Sequence, residues 1–247
     1  MPFQEQLQNY LNCMKKIINS ILSIIIYLLA ALTFCLTGPI VLIMIFLFPF
    51  LITKLIVPFC ILMLSVFGCR IKIFGTFPKN ETFVIMANHV SFLDVFAVPC
   101  SFATNKKFSA VAAAKNFKIP IYATFLKKLN VISINRSNRE QSIKGIQKAE
   151  QVLKNDYHIT ILPEGTRTST GKLGLFKKGG FHLAVNTKAN ILPIITKGLF
   201  KIKPINRWTI KPGLIEIHIK KPVLTEGKTV DELLEETRSV FIETLKN

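Results

Sequence analysis

Residues Thr82–Asp94 read TFVIMANHVSFLD. The first half, Thr82–Ala87, is an apolar run with β-branched and aromatic residues, the make-up of a buried strand. The second half, Asn88–Asp94, carries an imidazole and a carboxylate five residues apart. On one continuous helix, five steps of about 100° would set them roughly 140° apart, and they would not meet. With His89 in the turn after a strand and Asp94 in the first turn of a helix, they can converge. A histidine oriented by a carboxylate can accept a proton from a weak nucleophile. A plainer use is open as well: Ser91-x-x-Asp94 is a variant of the helix capping box, needed only to start a helix.

Outward from this stretch, strand-like and helix-like segments alternate from Arg70 onward. Ile71–Phe74, Phe108–Ala113, Val131–Ile134, Tyr157–Leu162 and Ile191–Thr196 read as strands between Gly, Pro and Asn breaks. Phe92–Phe102, Tyr122–Lys128, Gln141–Lys154 and Gly180–Thr187 read as helices. Leu214–Lys221 (LIEIHIKK) alternates apolar and polar residues, as a strand with one wet face does. Thr229–Leu245 is an amphipathic helix opened by the capping box Thr229-x-x-Glu232. The pattern predicts an α/β domain over 70–247, with a mainly central sheet flanked by helices.

Residues 1–69 form a different region. Ile17–Thr53 contain no Asp, Glu, Lys, Arg or His, and Leu55–Cys69 are again uncharged. Ile17–Leu36 is about long enough to span a bilayer, and Gly38-Pro39 is expected to break it. Ile40–Leu51 and Leu55–Phe67 follow, each short for a clean span and carrying Pro49 and Pro58. A removable signal peptide fits poorly, since the run is long and has no small-residue cleavage site. Two tilted transmembrane helices, a re-entrant hairpin, or a segment sunk in one leaflet all remain open. A buried helical hairpin does not suit, because the globular part has too little chain to cover it. Lys15-Lys16 before the region and Arg70 and Lys72 after it place both ends, and the globular domain, on the cytoplasmic face.

The formal net charge is +18, and +16 of it falls in residues 70–247. A basic domain tied to an apolar segment suits an anionic lipid surface, phosphorylated substrates or an acidic carrier protein. No helix-turn-helix, zinc-finger or RNA-binding aromatic signature accompanies the charge, so nucleic acid is not expected as a partner. The five cysteines are odd in number and include no C-x-x-C, which argues against a disulfide framework. No His/Cys spacing suggests a metal site. His158 and His218 lie in strands and are expected to be structural; His182 is nearer the chemistry but is read the same way.

Tyr157–Leu162 runs directly into Pro163–Thr168 (PEGTRT). Gly165 lets backbone N–H groups approach a ligand. Thr166 offers a hydroxyl, and Arg167 can hold a phosphate bidentately. A solvated Pro/Gly turn with incidental charges is the alternative. Lys172, Lys177 and Lys178 follow and could border an acidic ligand.

Taken together, the two blocks resemble the acyltransferases that make phosphatidic acid, the 1-acyl-sn-glycerol-3-phosphate acyltransferases and their glycerolipid relatives. The family's NHxSxxD block is whole at Asn88–Asp94, with Asn88 and Ser91 as its supporting positions. Its FPEGTRS-like block reads LPEGTRT at Leu162–Thr168. Lys115 in AAAKNFKIP, Arg136 in VISINR, the FKKG run at Phe176–Gly179 and the strand with Pro193 also fit. The resemblance covers about residues 70–246. Departures are Leu162 for Phe, Thr168 for Ser, and Asn190 in place of the first proline of a later block.

The resemblance implies an O-acyltransferase that moves a fatty acyl group from acyl-CoA or acyl carrier protein to the sn-2 hydroxyl of lysophosphatidic acid at a phospholipid surface. In that scheme His89 is the base and Asp94 orients it. Lys115, Arg136 and Arg167 hold the phosphate, with Gly165 and Thr166 in the same loop. Glu164 orients the glycerol or that loop. No cofactor is implied beyond the thioester co-substrate. Rivals are another acceptor (glycerol 3-phosphate, another lysophospholipid, a lyso-aminolipid) and a membrane-anchored lipid-binding protein without catalysis.

Overall fold

The computed structural model describes residues 2–79, 81–102, 106–119, 122–135 and 138–246. Arg136 lies outside them. Two helices lead the chain, α1 (Pro2–Leu47) and α2 (Ile52–Val66). The strands are β1 (Cys69–Phe74), β2 (Val84–Ala87), β3 (Lys107–Ala113), β4 (Ile132–Ile134), β5 (Tyr157–Ile161), β6 (Ile191–Lys197) and β7 (Gly213–Ile219). Between and after them lie α3 (Asp94–Ala97), α4 (Tyr122–Lys128), α5 (Arg139–Lys154), α6 (Gly179–Thr187), α7 (Leu199–Ile202) and α8 (Val230–Lys246).

The strands form one sheet in the order β1-β7-β6-β2-β5-β3-β4. From β6 to β4 every pairing is parallel, and β7 meets β6 antiparallel. Parallel strands need helical crossovers, which cover both faces of the sheet. Every residue of β2 is accordingly buried. Val84 and Met86 face α5, α6 and α8, while Ile85 and Ala87 face α2 and α3. At β7 the alternation expected from LIEIHIKK holds: Ile215, Ile217 and Ile219 are buried, and Glu216 and His218 are only half-covered. The capping box of α8 forms, with Thr229 N–H donating to Glu232 Oε2 at 2.8 Å and Glu232 N–H to Thr229 Oγ1 at 3.3 Å.

The apolar N-terminus departs from expectation in two ways. Gly38-Pro39 does not end α1, which runs through it. A proline forgoes one helical hydrogen bond and crowds one carbonyl. Here apolar packing on both sides outweighs that loss: Phe34 meets Phe59 and Phe125 at centroid distances of 6.1 Å, and Ile45 is buried. Second, α2 is no free membrane segment. Ile56, Phe59, Cys60, Met63, Leu64 and Phe67 are buried in the core that the sheet also lines. A fully buried side chain such as Leu64 adds about 1.5–3 kcal/mol. By contrast, α1 exposes Ile21, Ile25, Leu28, Leu32, Leu36, Ile40 and Ile43 along one side. It is the one described helix long and apolar enough to cross a membrane, by length and composition.

The helix expected over Phe92–Phe102 is split into α3 and a 3-10 turn at Val98–Ser101. Pro99 has no N–H to continue the α-helical ladder. The segment from Gly198 to Pro212, with α7 at its start, carries no periodic pattern and was not anticipated. It is fastened to α1: Tyr27 Oη donates to the Trp208 carbonyl at 2.8 Å, and Ile210 N–H donates to Ser23 Oγ at 2.9 Å.

Candidate active site

The chemistry-bearing residues gather at one edge of the sheet. Because β2, β3, β4, β5 and β6 run parallel, their carboxyl ends share that edge. His89 follows β2, Lys115 follows β3, Pro163–Arg167 follow β5, and Gly198–Pro212 follow β6. The crevice beyond the carboxyl ends of parallel strands is where open α/β sheets bind ligands.

His89 and Asp94 do converge. Nδ1 of His89 lies 2.7 Å from Oδ2 of Asp94. The same oxygen accepts from the N–H groups of Val90 at 2.9 Å and Ser91 at 3.0 Å. A carboxylate that accepts two backbone donors takes the imidazole Nδ1–H as its third. That fixes the tautomer with a bare Nε2, which has no partner among the described residues. The His89 side chain is 21% exposed and that of Asp94 2%, so the imidazole reaches the surface while the carboxylate bonded to it is enclosed. Burial raises the Asp94 carboxyl above the usual range; the bonds from His89, Ser91 and Val90 oppose it. Oδ1 of Asp94 is buried and unpartnered among the described residues.

The capping box read at Ser91 is half-made. Asp94 reaches back to the Ser91 N–H, but the Ser91 hydroxyl does not cap the Asp94 N–H. It donates instead to the Lys203 carbonyl at 2.7 Å and accepts from the Leu93 N–H at 3.3 Å. Asn88 holds the other end of the turn: its amide donates to the Thr196 carbonyl at 2.9 Å, and its Oδ1 accepts the Thr196 N–H at 2.8 Å. The turn is therefore moored to β6 on one side and to the segment after β6 on the other.

Glu164 moors it a third time. Oε1 accepts the His89 N–H and Oε2 the Gly174 N–H, each at 2.7 Å. Thr168 N–H donates to the His89 carbonyl at 3.0 Å. Burial raises the Glu164 carboxyl, with these two N–H bonds opposing. Both oxygens accept backbone N–H groups, so Glu164 ties the loop to the His89 turn. Gly165 has φ +73°, and a side chain there would press on Lys177 Cε at 3.1 Å. Thr166 is exposed; Arg167 is half-buried and has no ion-pair partner among the described residues.

Lys115 is exposed on the 3-10 turn Ala114–Lys118 at the same sheet edge, without a hydrogen bond to His89, Asp94 or Arg167. Arg136 falls outside the described residues. Lys178 pairs with Asp231 of α8 at 2.6 Å. His158 is structural: fully buried, it accepts the Phe83 N–H on Nδ1 at 3.1 Å and stacks on the Phe83 ring. His218 stacks on Phe74 at 4.6 Å, and His182 is exposed on α6. Asn190 sits at the amino end of β6, bonded to Glu81 and Thr225, far along the strand from the Asn88–Thr196 contact.

Sequence reasoning missed Thr196, Gly174 and Lys203. The first two act through backbone groups, which leave no side-chain signature. Lys203 could have been flagged by position, because a loop leaving the carboxyl end of a parallel strand lies on the ligand edge.

Residues 70–197, just over half of the chain, match the family model described as Acyltransferase. The chain is 30% identical over 170 residues to the chloroplastic 1-acyl-sn-glycerol-3-phosphate acyltransferase of Arabidopsis thaliana, covering 68% of this chain and 46% of that one. It is 31% identical over 187 residues to the 1-acyl-sn-glycerol-3-phosphate acyltransferase of Saccharomyces cerevisiae, covering 72% and 61%. The chain thus spans about half of the length of the curated relatives it matches. The crystal structure of the 1-acyl-sn-glycerophosphate acyltransferase of Thermotoga maritima superposes with a TM-score of 0.82 at 27% identity, over 94% of this chain and 97% of that one. A histidine aimed by a buried carboxylate, an arginine loop cross-linked to it, and the match across both blocks have one conclusion: this chain belongs to the Acyltransferase family.

Proposed function

We propose that the protein is a membrane-associated O-acyltransferase that forms phosphatidic acid from 1-acyl-sn-glycerol 3-phosphate and an acyl thioester, acyl-CoA or acyl carrier protein. The observation that carries this reading is the free Nε2 of His89, held by the 2.7 Å contact between Nδ1 and Asp94. Nε2 takes the proton of the sn-2 hydroxyl as its oxygen attacks the thioester carbonyl. Asp94 holds the tautomer and stabilises the imidazolium that forms. The tetrahedral intermediate collapses, the C–S bond breaks, and the proton passes from Nε2 to the leaving thiolate. The acceptor supplies the nucleophile, so the chain needs none of its own.

Arg167 binds the acceptor phosphate, with Lys115 as a further cation of the same sheet edge; Arg136 is assigned to the phosphate by the family resemblance alone. Asp94 and Glu164 spend their hydrogen bonds on His89 and on backbone N–H groups, so among the described residues neither pairs with these cations.

The N-terminal hairpin supports work at a bilayer. At about 1.5 Å per residue, α1 is about twice as long as a hydrocarbon core is thick. From Ser23 to Ile45 one side of it is packed on the domain, and the opposite side is exposed and apolar. A helix so attached along its length sinks into one leaflet beside the domain more readily than it crosses upright. Exposed Trp208, next to α1, is an interfacial anchor in kind. Lys15, Lys16, Arg70 and Lys72 favour the cytoplasmic face. The helix α3 that begins at Asp94 packs on α2, with Phe59–Phe96 at 6.4 Å, so the Asp94 end of the site is joined to this hairpin.

The test is an acceptor screen with purified protein in mixed micelles, read by mass spectrometry. Phosphatidic acid from lysophosphatidic acid and acyl-CoA or acyl carrier protein supports the reading. Product only from glycerol 3-phosphate or from another lysolipid replaces the acceptor named here.

A further inference from the structure

The segment after β6 carries a cation that neither sequence block contains. Lys203 is 9% exposed, yet it has no ion-pair partner among the described residues. Its ammonium donates to the carbonyls of Pro204, at 3.0 Å, and Arg207. An ammonium has one more N–H than these two acceptors use. The aromatic face of Phe92 lies 5.9 Å from Nζ.

Lys203 is fixed relative to both halves of the site. Its carbonyl accepts the Ser91 hydroxyl at 2.7 Å, two residues from His89. Arg167 is fixed to the same turn through its neighbour, by the Thr168 N–H to the His89 carbonyl at 3.0 Å. The two cation-bearing segments also touch each other. Asn206 Nδ2 donates to the Ser169 carbonyl at 3.3 Å, and a side chain at Gly171 would meet the Phe200 ring at 2.9 Å.

Two guanidiniums act on the Lys203 ammonium. Burial lowers the Lys203 pKa, and the Arg167 and Arg207 guanidiniums lower it further. Arg207 is spent on the loop itself, donating to the carbonyls of Lys201, Ile202 and Thr209. Arg167 has no such partner among the described residues. A nearly enclosed ammonium beside an unpaired guanidinium is unfavourable without an anion.

We infer that Lys203 and Arg167 together form a two-cation clamp that selects a dianionic phosphate monoester headgroup over a monoanionic phosphodiester. The inference rests on the proposed acyl transfer for its substrate and adds the residue that sets headgroup selectivity. A phosphodiester brings one negative charge and an extra substituent; a monoester brings about two charges and three free oxygens to two donors.

Lys203→Met keeps the stem and removes the charge. With it, kcat/KM for lysophosphatidic acid falls about 10–100-fold, mainly through the acceptor KM. The acyl-donor KM and the turnover of lysophosphatidylglycerol stay near wild type, so monoester selectivity collapses. An equal loss with both acceptors, carried by kcat, assigns Lys203 a structural role only and overturns the inference. Unmodified protein supplies a second reading that needs no variant to fold and no turnover. Amine acetylation of Lys203, followed by peptide mass spectrometry, slows several-fold with lysophosphatidic acid in the micelles and no acyl donor, and not with lysophosphatidylglycerol. Equal protection by both lipids, or by neither, overturns the clamp. Protection without acyl transfer to any acceptor would leave the clamp standing and sink the enzymatic reading.

Discussion

Nδ1 of His89 lies 2.7 Å from Oδ2 of Asp94, an oxygen that also accepts two backbone N–H groups. The second carboxylate oxygen of Asp94 has no partner among the described residues. One atom therefore holds the turn and the imidazole together, and the other does neither.

This asymmetry makes Asp94→Asn a clean substitution. The Asn carbonyl can replace Oδ2 in all three bonds, with its amide at the unpartnered position. The fold is retained, while the negative charge that steadies the imidazolium is lost. Turnover is expected to fall about 10²–10⁴-fold, with the melting temperature within a few degrees of wild type. Thiol release and calorimetry on the same sample check both halves. A variant that keeps full turnover would show that the charge is idle.

Glu164→Gln is expected to act differently. Both carboxylate oxygens accept backbone N–H groups, at His89 and Gly174. A glutamine must turn its NH₂ toward one of them, leaving a buried donor facing a donor. That costs about 1–3 kcal/mol and loosens the His89 turn. Urea unfolding should show the loss of stability, and kcat should fall with the pH profile of activity unmoved. A shifted profile would instead make Glu164 a titrating participant.

Arg167→Lys keeps the charge but loses the planar fork. The acceptor KM is expected to rise about tenfold and the donor KM to stay constant. Initial rates with each substrate varied in turn decide it. A change confined to the donor KM would move Arg167 to the thioester side.

His158 predicts an acid-side weakness. Its folded pKa is pushed down to about 4 from the ordinary 6.5, chiefly by burial. As pH falls, the unfolded chain takes this proton first. The contribution to stability is complete above about pH 6.5 and is lost as pH drops toward about 4, at most about 3 kcal/mol. Asp94 and Glu164, with raised pKa values, act in the opposite sense. His158→Asn, which can still accept the Phe83 N–H, should flatten the fall in unfolding free energy between pH 6.5 and 4. An unchanged slope would assign the acid sensitivity elsewhere.

The exposed side of α1 predicts the membrane contact. Leu28→Lys with Leu32→Lys places two charges on that side, away from the packed Ile26 and Ala30. Each costs about 2.5–3.5 kcal/mol deep in hydrocarbon. Vesicle co-sedimentation should fall more than about tenfold, while the domain keeps its melting temperature. Undiminished binding would leave α1 without its proposed surface.

Sequence and structure agree where local chemistry decides the outcome. The run VIMA, buried on both faces, and the alternation LIEIHIKK state their environments residue by residue. Thr229 and Glu232 announce their cap for the same reason. Agreement ends where distant partners decide. Nothing near Pro39 says that Phe59 and Phe125 will brace the helix around it. Nothing near Ser91 says that its hydroxyl serves Lys203, 112 residues away. His89, Asp94, Glu164 and Arg167 were legible as candidates because each sits in a short block. The backbone groups that aim them, at Thr196 and Gly174, are not, since any residue can supply an N–H or a carbonyl.

The most direct measurement is free-thiol release by purified protein given acyl-CoA and lysophosphatidic acid in mixed micelles, for wild type and His89→Ala side by side. The account predicts stoichiometric thiol and phosphatidic acid from wild type, and a rate about 10²–10⁴-fold lower from a folded His89→Ala. Wild-type turnover in that variant, or no thiol from the wild type with any lysophospholipid and either donor, would contradict it.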